Sequence, residues 1–399
     1  MVADSAFEWT ATELYERLMA RERITLLDVR ARDEFEEWRI EGRVPLPTRS
    51  APYFELIERA ESDDPKECAA ALIATPDEMP LPKDAPILVA CAKGGSSAFV
   101  ADGLRQLGYR AVNLAGGMEA WSRLTFAMPV VREASSTIFQ IGRPSRGCLS
   151  HVLASAGEAA IIDPLRDLEP YLALLRDESL RAAFVLDTHA HADHVSGGAA
   201  LAKRLGVPYW LHPYDAIHPM DLLLGSVSYE PLRDGQKLQV GTVAFEVLHI
   251  PGHTLGNGAL RIGGALLSGD SIFIDSVSRP DLGGRGQAWA RLHWRSLRRL
   301  LALGDDVTVL PGHVSTLAEA DDDGRFAARL GDLRQSNEGL REAQKSEAEF
   351  VAWIMSHAAE IPPRYIDIKR VNLGLEHVDD EGAAELEIGK NVCAMAHAR

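Results

Sequence analysis

Cysteine is scarce in this chain, and basic residues are outnumbered. The 399 residues include only four cysteines (Cys68, Cys91, Cys148 and Cys393) with no CxxC pair, so a disulfide-stapled scaffold is excluded and a reducing compartment is expected. Lys and Arg number 42 against 58 Asp and Glu, a formal net charge of −16, which argues against a nucleic-acid partner. No apolar run approaches the roughly 20 residues of a membrane span, and the N-terminus lacks a signal-peptide pattern. We therefore expect a cytoplasmic protein with no membrane partner.

What is present is an ordinary globular composition, with 46% apolar and 25% charged residues. At roughly 150 residues per domain, the length predicts two or three domains. In the first third, predicted strands alternate with predicted helices. The strands cover 24–30, 86–92 and 110–116, and the helices cover 11–22, 96–108 and 117–124. This alternation predicts a parallel sheet covered by helices on both faces. The stretch 42–85 is predicted to be irregular.

The sequence pattern changes near residue 130. Residues 128–143 are interpreted as a linker, which divides the chain into domains over 1–130 and 131–378. In the second domain, strand pairs followed by helices occur twice over, which indicates two sheets sandwiched between helices. Residues 314–346 are charged and helical in character, and we interpret them as a lid or an outer brace. Residues 379–399 are expected to form an unpatterned C-terminal tail.

The first candidate site is Cys91, which lies where a predicted strand meets a predicted helix. The residues that follow it are mostly small: Ala92, Lys93, Gly94, Gly95, Ser96 and Ser97. Backbone N–H groups of a glycine-rich turn and the positive end of a helix stabilise a thiolate or persulfide anion. A cysteine flanked by apolar residues is more often a buried structural residue, but the glycine–serine turn favours a reactive one.

Residues 8–130 resemble a rhodanese domain. The resemblance rests on DVR (28–30), the loop CAKGGSS (91–97) and NLAGGMEAW (113–121). It implies an α/β fold in which Cys91 carries sulfane sulfur as a persulfide and the loop cradles it. Ala92 and Ser96 depart from the pattern, because many members carry arginine there to hold anionic donors such as thiosulfate. Without these arginines, the resemblance does not by itself imply efficient use of thiosulfate.

The second candidate site is a set of histidines and aspartates, each beside a tight turn at the end of a strand-like run. THAHADH (188–194) places two histidines on the same side of an extended chain. The set comprises His189, His191, Asp193, His194, His253, Asp270 and His313. Imidazole and carboxylate ligands suit Zn, Fe and Mn. The sequence therefore predicts a metal centre, whereas Asp163 is interpreted as a structural residue at a strand end.

Residues 135–375 resemble the metallo-β-lactamase fold, whose seven-residue set is complete here. That resemblance implies an αββα sandwich. The superfamily includes dinuclear zinc hydrolases such as glyoxalase II and persulfide dioxygenases with one Fe(II), and the seven residues do not separate them. The surroundings, SRPDL (278–282) and residues 349–372 above all, look most like the dioxygenases. This implies Fe(II), one per chain, on His189, His253 and Asp270. The other four residues would surround it or form a second metal site.

Together the two resemblances imply an iron-dependent persulfide dioxygenase fused to a rhodanese. A small persulfide such as glutathione persulfide would be oxidised by O2 to sulfite and thiol. Cys91 would exchange sulfane sulfur with thiosulfate, sulfite or a thiol. The alternative is a dinuclear zinc thioester hydrolase of the glyoxalase II type with a regulatory rhodanese domain. A third interpretation makes the rhodanese domain a docking module, against which the intact Cys91 argues.

Two further residues and the oligomeric state carry weaker expectations. Arg279 is a candidate for holding a substrate carboxylate, because guanidinium groups bind carboxylates in a bidentate manner; a salt bridge within the protein is an equal alternative. Cys148, in RGCLS, is interpreted as a partly buried cysteine at a strand end, and proximity to the metal centre is the alternative. A homodimer is the default expectation, since dimers are the commonest oligomers.

Overall fold

A computed structural model describes residues 7–75, 79–358, 360–389 and 391–395. The chain divides into two compact units, the first holding the chain up to Thr125 and the second nearly all of it from Phe126 onward. The first unit is an α/β domain and the second a sandwich of two sheets between helices, which confirms the predicted fold class.

The first unit is built on a sheet of five strands, all paired in parallel. The strands are β1 (Glu8–Trp9), β2 (Thr25–Asp28), β3 (Thr48–Ser50), β4 (Ile87–Ala90) and β5 (Ala111–Leu114), in the order β1-β5-β4-β2-β3. Every residue of β2, β4 and β5 is buried. Continuous burial of this kind is typical of a parallel sheet with both faces covered.

Six helices accompany this sheet: α1 (Ala11–Met19), α2 (Arg32–Glu37), α3 (Tyr53–Ala60), α4 (Pro65–Ile73), α5 (Gly95–Gln106) and α6 (Gly117–Arg123). The prediction of an irregular stretch over 42–85 is wrong, because it contains β3, α3 and α4; residues 76–78 lie outside the described ranges. Two of its prolines mark helix starts rather than breaks, since Pro52 precedes α3 and Pro65 is the first residue of α4. Proline is tolerated there because the first N–H of a helix has no partner within the helix.

The second unit contains two sheets. The seven-stranded sheet has β6 (Phe126–Arg132), β7 (Thr137–Arg143), β8 (Cys148–Ser155), β9 (Glu158–Ile162), β10 (Arg181–Leu186), β11 (Tyr209–Leu211) and β12 (Glu230–Pro231) in sequential order. The six-stranded sheet has β13 (Lys237–Val240), β14 (Val243–His249), β15 (Gly258–Ile262), β16 (Ala265–Gly269), β17 (Thr308–Pro311) and β18 (Ala328–Arg329), also in order. The predicted linker over 128–143 is wrong, since it forms the antiparallel pair β6–β7. Its run of β-branched and aromatic residues fits a strand.

Helices cover the outer faces of both sheets. They are α7 (Glu169–Asp177), α8 (Gly198–Leu205), α9 (Gly286–Leu301), α10 (Leu330–Ser336), α11 (Glu338–Ala343), α12 (Glu347–Ser356), α13 (Arg364–Asn372) and α14 (Asp380–Leu386). Leu153 and Ile162 of one sheet pack with Phe245 and Leu260 of the other in the central layer. The stretch 314–346 supplies α10 and α11, which join the core beside α9, so it is a brace rather than a lid. The stretch expected to be a tail contains α14.

Candidate metal centre and reactive cysteine

Cys91 lies directly after β4, at the turn that leads into α5, as the sequence predicts. The turn closes around its sulfur, because the backbone N–H of Gly94 and the hydroxyl of Ser97 both donate to Sγ at 3.1 Å. Gly94 has φ +89, a left-handed conformation that suits glycine. Cys91 and Ser97 are buried, whereas Ala92, Lys93 and Gly95 are exposed and Ser96 is half-buried. The loop therefore presents two donors to a sulfur anion at the start of a helix.

Backbone hydrogen bonds from the segment NLAGGMEAW (113–121) hold the Cys91 loop in place. The N–H groups of Met118 and Glu119 donate to the carbonyls of Cys91 and Ala92 at 2.8 and 3.0 Å. Gly117 has φ +59, and a Cβ on it would lie 2.3 Å from the Cys91 carbonyl oxygen. A side chain at position 117 would collide with the backbone of the Cys91 loop, so this position requires glycine.

A cavity of about 810 Å³ opens beside Cys91. Arg30, Arg32 and Lys93 are the cations among its lining residues. Arg30 is salt-bridged to the buried Asp28 at 2.7 Å, and Arg32 pairs with Glu55 at 2.8 Å. Sequence reasoning missed Arg30 and Arg32 as cavity residues, although DVR was part of the rhodanese resemblance. Three carboxylates, Asp33, Glu34 and Glu55, line the same cavity, so its cationic and acidic side chains are equal in number.

In the second unit, strand ends bring the predicted metal ligands together. His189 follows β10, His253 follows β14, Asp270 follows β16 and His313 follows β17. His189, His253 and Asp270 form one group whose ligand atoms lie within 4.8 Å of one another, and all three are fully buried. Asp270 Oδ2 is 3.8 Å from His189 Nε2 and 3.5 Å from His253 Nε2.

The far side of each of these three side chains is held by the protein. His189 Nδ1 lies 3.0 Å from Thr188 Oγ1, His253 Nδ1 lies 2.9 Å from the Arg279 carbonyl oxygen, and Asp270 Oδ1 lies 2.6 Å from His313 Nδ1. The facing atoms, His189 Nε2, His253 Nε2 and Asp270 Oδ2, have no hydrogen-bond partner within the described part of the chain. Buried polar atoms without partners are costly, and a metal ion would satisfy all three. The donor set therefore fits a metal.

Electrostatics keeps the two imidazoles suited to this role. Burial, reinforced by His191 and His253, holds the pKa of His189 well below its ordinary value. Burial likewise lowers the pKa of His253, against the opposing effect of Asp270. Both rings are therefore neutral at pH 7, and neutral imidazole is the form that binds a metal.

The structure places His191 beside acidic residues. Its Nε2 lies 3.3 Å from Asp163 Oδ1 and 3.9 Å from Asp187 Oδ1. Asp163 also accepts hydrogen bonds from the N–H and hydroxyl of Thr188, at 2.6 and 3.0 Å. Asp163 therefore supports the residue before His189, which agrees with a structural role, but it also groups with His189 and His191 as possible ligands. Its spacing in the sequence did not indicate this proximity.

Asp193, His194 and His313 form a separate buried group with Cys148. His313 Nε2 lies 2.8 Å and His194 Nδ1 lies 3.1 Å from Asp193 Oδ2. His313 also contacts Asp270, and since carboxylates only accept, His313 donates from both nitrogens. Burial alone would lower the pKa of His313, but Asp193 and Asp270 raise it well above its ordinary value.

Cys148 is fully buried at the start of β8, and its Sγ lies 3.6 Å from Asp193 Oδ2. The interpretation as a partly buried strand-end cysteine is therefore wrong about its surroundings, and the alternative of proximity to the metal centre describes the structure. Burial acts to raise the pKa of its thiol, but His194 and His313 outweigh it and lower the pKa to about 6.

Residues near the C-terminus complete the centre, and sequence reasoning missed them. Asn372 donates to the carbonyls of His191 and His194, both at 2.9 Å, and Glu387 accepts from the N–H of Val195 at 2.8 Å. Asn391 donates to Asp193 Oδ2 at 3.0 Å. The sequence carries no signal for these contacts, because each joins residues more than a hundred positions apart.

Arg279 is buried, and its guanidinium forks onto Asp281 at 2.7 and 2.8 Å. This is the salt-bridge alternative that the sequence left open. Its backbone carbonyl, by contrast, accepts from His253 Nδ1. The position of Arg279 therefore matters to the centre through its main chain.

Residues 143–313 match the metallo-beta-lactamase superfamily, and residues 10–124 match the rhodanese-like domain family. A hydroxyacylglutathione hydrolase from Alkalilimnicola ehrlichii is 34% identical over 205 residues, covering 51% of this chain and 73% of that protein. The chain belongs to the metallo-beta-lactamase superfamily. An uncharacterized protein of Mycobacterium leprae is also 34% identical, over 42% of this chain and 86% of its own length.

Two solved structures are similar to this chain. A metallo-beta-lactamase from Staphylococcus aureus is 26% identical with a TM-score of 0.53, covering 61% of this chain and 74% of its own. ETHE1 from Myxococcus xanthus is 25% identical with a TM-score of 0.50, covering 60% of this chain and 98% of its own. None of the helices in the described ranges has the length and apolar character needed to cross a bilayer.

Proposed function

We propose that the second unit is an iron-dependent persulfide dioxygenase and that Cys91 of the first unit carries sulfane sulfur for it. A low-molecular-weight persulfide, glutathione persulfide or a similar compound, would react with O2 and water to give the thiol, sulfite and protons. The terminal sulfur gains both atoms of O2 and one oxygen atom of water. The electrons that this sulfur loses reduce O2, and the bond between the two sulfur atoms breaks, so the reaction needs no other reductant.

The observation that carries this proposal is the meeting of His189 Nε2, His253 Nε2 and Asp270 Oδ2. Two imidazoles and one carboxylate, each without another partner on its inner side, are the ligand set of mononuclear Fe(II) oxygenases. Bound there, Fe(II) would supply open coordination positions for the persulfide sulfur and O2. The sequence resemblance to persulfide dioxygenases and the structural similarity to ETHE1 from Myxococcus xanthus support the same assignment.

The chain's own residues fix these three ligands in place. Thr188 and the Arg279 carbonyl orient the two imidazole rings, and His313 holds Asp270 Oδ1 so that Oδ2 faces inward. Partners of this kind set the orientation and basicity of a ligand. Complete burial of the three side chains shields their inward-facing atoms from bulk water.

At Cys91 the persulfide anion would be stabilised by the Gly94 N–H and the Ser97 hydroxyl, the groups that already donate to the sulfur. Transfer to a thiol or to sulfite would break the sulfur–sulfur bond and release the Cys91 thiolate. The products would be a low-molecular-weight persulfide from glutathione or a similar thiol, and thiosulfate from sulfite. The cavity beside Cys91 has room for such a partner.

A zinc thioester hydrolase is the second candidate. The similarity to hydroxyacylglutathione hydrolase from Alkalilimnicola ehrlichii, 34% identical over 205 residues, favours it. In that case two metals would occupy the centre, with Asp193, His194 and His313 serving as ligands. The proposed dioxygenase needs only His189, His253 and Asp270.

The deciding experiment measures oxygen uptake and sulfite together, with protein loaded anaerobically with iron and glutathione persulfide as the substrate. We expect oxygen uptake to equal the sum of the sulfite and the thiosulfate formed, and His189→Ala to lose both the uptake and these products. The matched control is His377→Ala, an exposed histidine, which should behave like the parent. Thioester hydrolysis by the zinc form, with no oxygen consumed by the iron form, would overturn the proposal.

A further inference from the structure

Asp193 Oδ2 is surrounded by hydrogen-bond donors from four separate parts of the chain. His313 Nε2 lies at 2.8 Å, Asn391 Nδ2 at 3.0 Å, His194 Nδ1 at 3.1 Å and Cys148 Sγ at 3.6 Å. A carboxylate oxygen that accepts this many bonds has little capacity left to bind a cation. The Oδ2 atom of Asp193 is thus engaged as a hydrogen-bond acceptor.

Asn391 differs from the other three donors because it cannot itself become a ligand in this orientation. Its carbonyl oxygen accepts from the N–H of Cys393 at 2.7 Å and from the hydroxyl of Tyr365 at 3.4 Å. Those bonds leave the NH2 group facing Asp193. An amide NH2 group only donates, so its positive end faces Asp193 Oδ2 and opposes the binding of a cation to this oxygen.

The segment that carries Asn391 is anchored to the loop that follows Asp270. The N–H of Arg279 donates to the Cys393 carbonyl, and the N–H of Met395 donates to the Val277 carbonyl, both at 2.9 Å. Asn391 is therefore held in place by backbone hydrogen bonds on its C-terminal side.

We propose that Asn391 limits the centre to one metal ion by keeping Asp193 in a hydrogen-bonded state. The inference rests on the proposed function only in placing the first metal at His189, His253 and Asp270. With Asp193 occupied, His313 remains bonded to both carboxylates and leaves Asp270 Oδ2 to that first metal. Removing the amide would free Asp193, His194, His313 and Cys148 to act as a second set of ligands.

The experiment counts bound metal. Cys91→Ser protein serves as the parent so that the Cys91 thiol adds no binding, and it is stripped with a chelator and titrated with Zn(II) or Co(II). We expect one equivalent for the parent and two for Asn391→Ala, the second bound at least about tenfold more tightly than any second equivalent in the parent. Glu381→Ala, an exposed residue of α14, is the matched control and should bind one.

The absorption spectrum of bound Co(II) gives a second measurement, which does not depend on enzyme activity. In Asn391→Ala, the second Co(II) should bind the Cys148 thiolate and show a sulfur-to-cobalt absorption band in the near ultraviolet. The band should disappear when Cys148→Ser is added. The parent should show no such band, because none of its three proposed ligands is a thiolate.

Two equivalents in the parent, or a folded Asn391→Ala protein that still binds one, would overturn the inference. If the alanine variant does not fold, Asn391→Asp replaces the donor with a carboxylate of similar shape and should bind two; one equivalent in a folded aspartate variant would also overturn it. The oxygen-uptake assay distinguishes failure of the inference about Asn391 from failure of the proposed function. A parent that binds one metal but forms no sulfite would remove the dioxygenase and leave the role of Asn391 intact.

Discussion

His313 Nδ1 lies 2.6 Å from Asp270 Oδ1. This histidine therefore orients the Asp270 carboxylate and does not face the space between His189, His253 and Asp270 Oδ2. The other carboxylate oxygen is thereby turned toward His189 and His253. One residue of the seven-residue set thus positions another. This division of roles distinguishes the three proposed ligands from their supporting residues within a set that the sequence presents as equivalent.

Replacing His313 should weaken metal binding without removing a ligand of the proposed iron site. Gln at position 313 keeps one donor group and cannot hold Asp193 and Asp270 at once. We expect the dissociation constant for Fe(II) or Co(II) to rise by about 10- to 100-fold, as is usual when a partner that orients a ligand is lost. Competition with a chromophoric chelator measures it, and an unchanged constant would contradict the assigned role.

Gly117→Ala should lower the reactivity of Cys91, because it displaces the loop that holds the Cys91 sulfur. The added Cβ would lie 2.3 Å from the Cys91 carbonyl oxygen and 2.7 Å from the Gly94 nitrogen, so the loop would have to move. We expect persulfide loading of Cys91, followed by intact-protein mass spectrometry, to fall at least about tenfold, because misplaced groups lose much of their reactivity. Gly108→Ala is the control, since Gly108 has φ +83 with open space around it. It should cost about 1 kcal/mol of stability and leave loading intact.

The Ser97 hydroxyl should make Cys91 more reactive. It donates to Sγ at 3.1 Å from a buried position, and hydrogen bonds to a charged group stabilise it by about 1.5–3 kcal/mol. Ser97→Ala should therefore slow alkylation of Cys91 by iodoacetamide at pH 7 by about tenfold or more. Ser96→Ala, a half-buried neighbour, should change the rate less. Equal effects of the two substitutions would argue against a specific bond to the sulfur.

His151 should make the second unit sensitive to acid. Burial lowers its pKa to about 4, against the opposing effect of Asp163, and its Nε2 lies 3.2 Å from Gln140 Nε2, which donates to it. The unfolded chain has a histidine pKa of about 6.5. The stability that neutral His151 contributes is therefore fully present above pH 6.5. It is lost as the pH falls from there toward 4, by about 3 kcal/mol in all.

Urea unfolding at a series of pH values, with a chelator present to remove any effect of metal, measures this loss. His151→Gln cannot be protonated at that position, so its free energy of unfolding should fall less steeply between pH 6.5 and 4. Parallel curves for the parent and the variant would show that His151 does not contribute.

The sequence by itself determined the two domains' fold classes and both candidate sites. The Cys91 turn and the THAHADH motif each consist of residues that are adjacent in the sequence. Local patterns of this kind can be recognised without the tertiary structure. Local patterns failed in two places. Residues 128–143 lie in β6, β7 and the residues between them, and the two strands form an antiparallel pair with each other. The stretch 42–85 contains helices because Pro52 and Pro65 stand at helix starts, where proline does not interrupt the helix.

Only the tertiary structure decided how the seven metal-centre residues divide their roles. Asn391 meets Asp193 across 198 positions of sequence, and Cys148 reaches the same oxygen from β8. Arg279 turns its guanidinium toward Asp281 and its carbonyl toward His253. Such contacts depend on which chain ends and loops the packed sheets bring together. Hydrogen bonds between distant polar side chains leave no periodic signal in the sequence, so the structure is needed to reveal them.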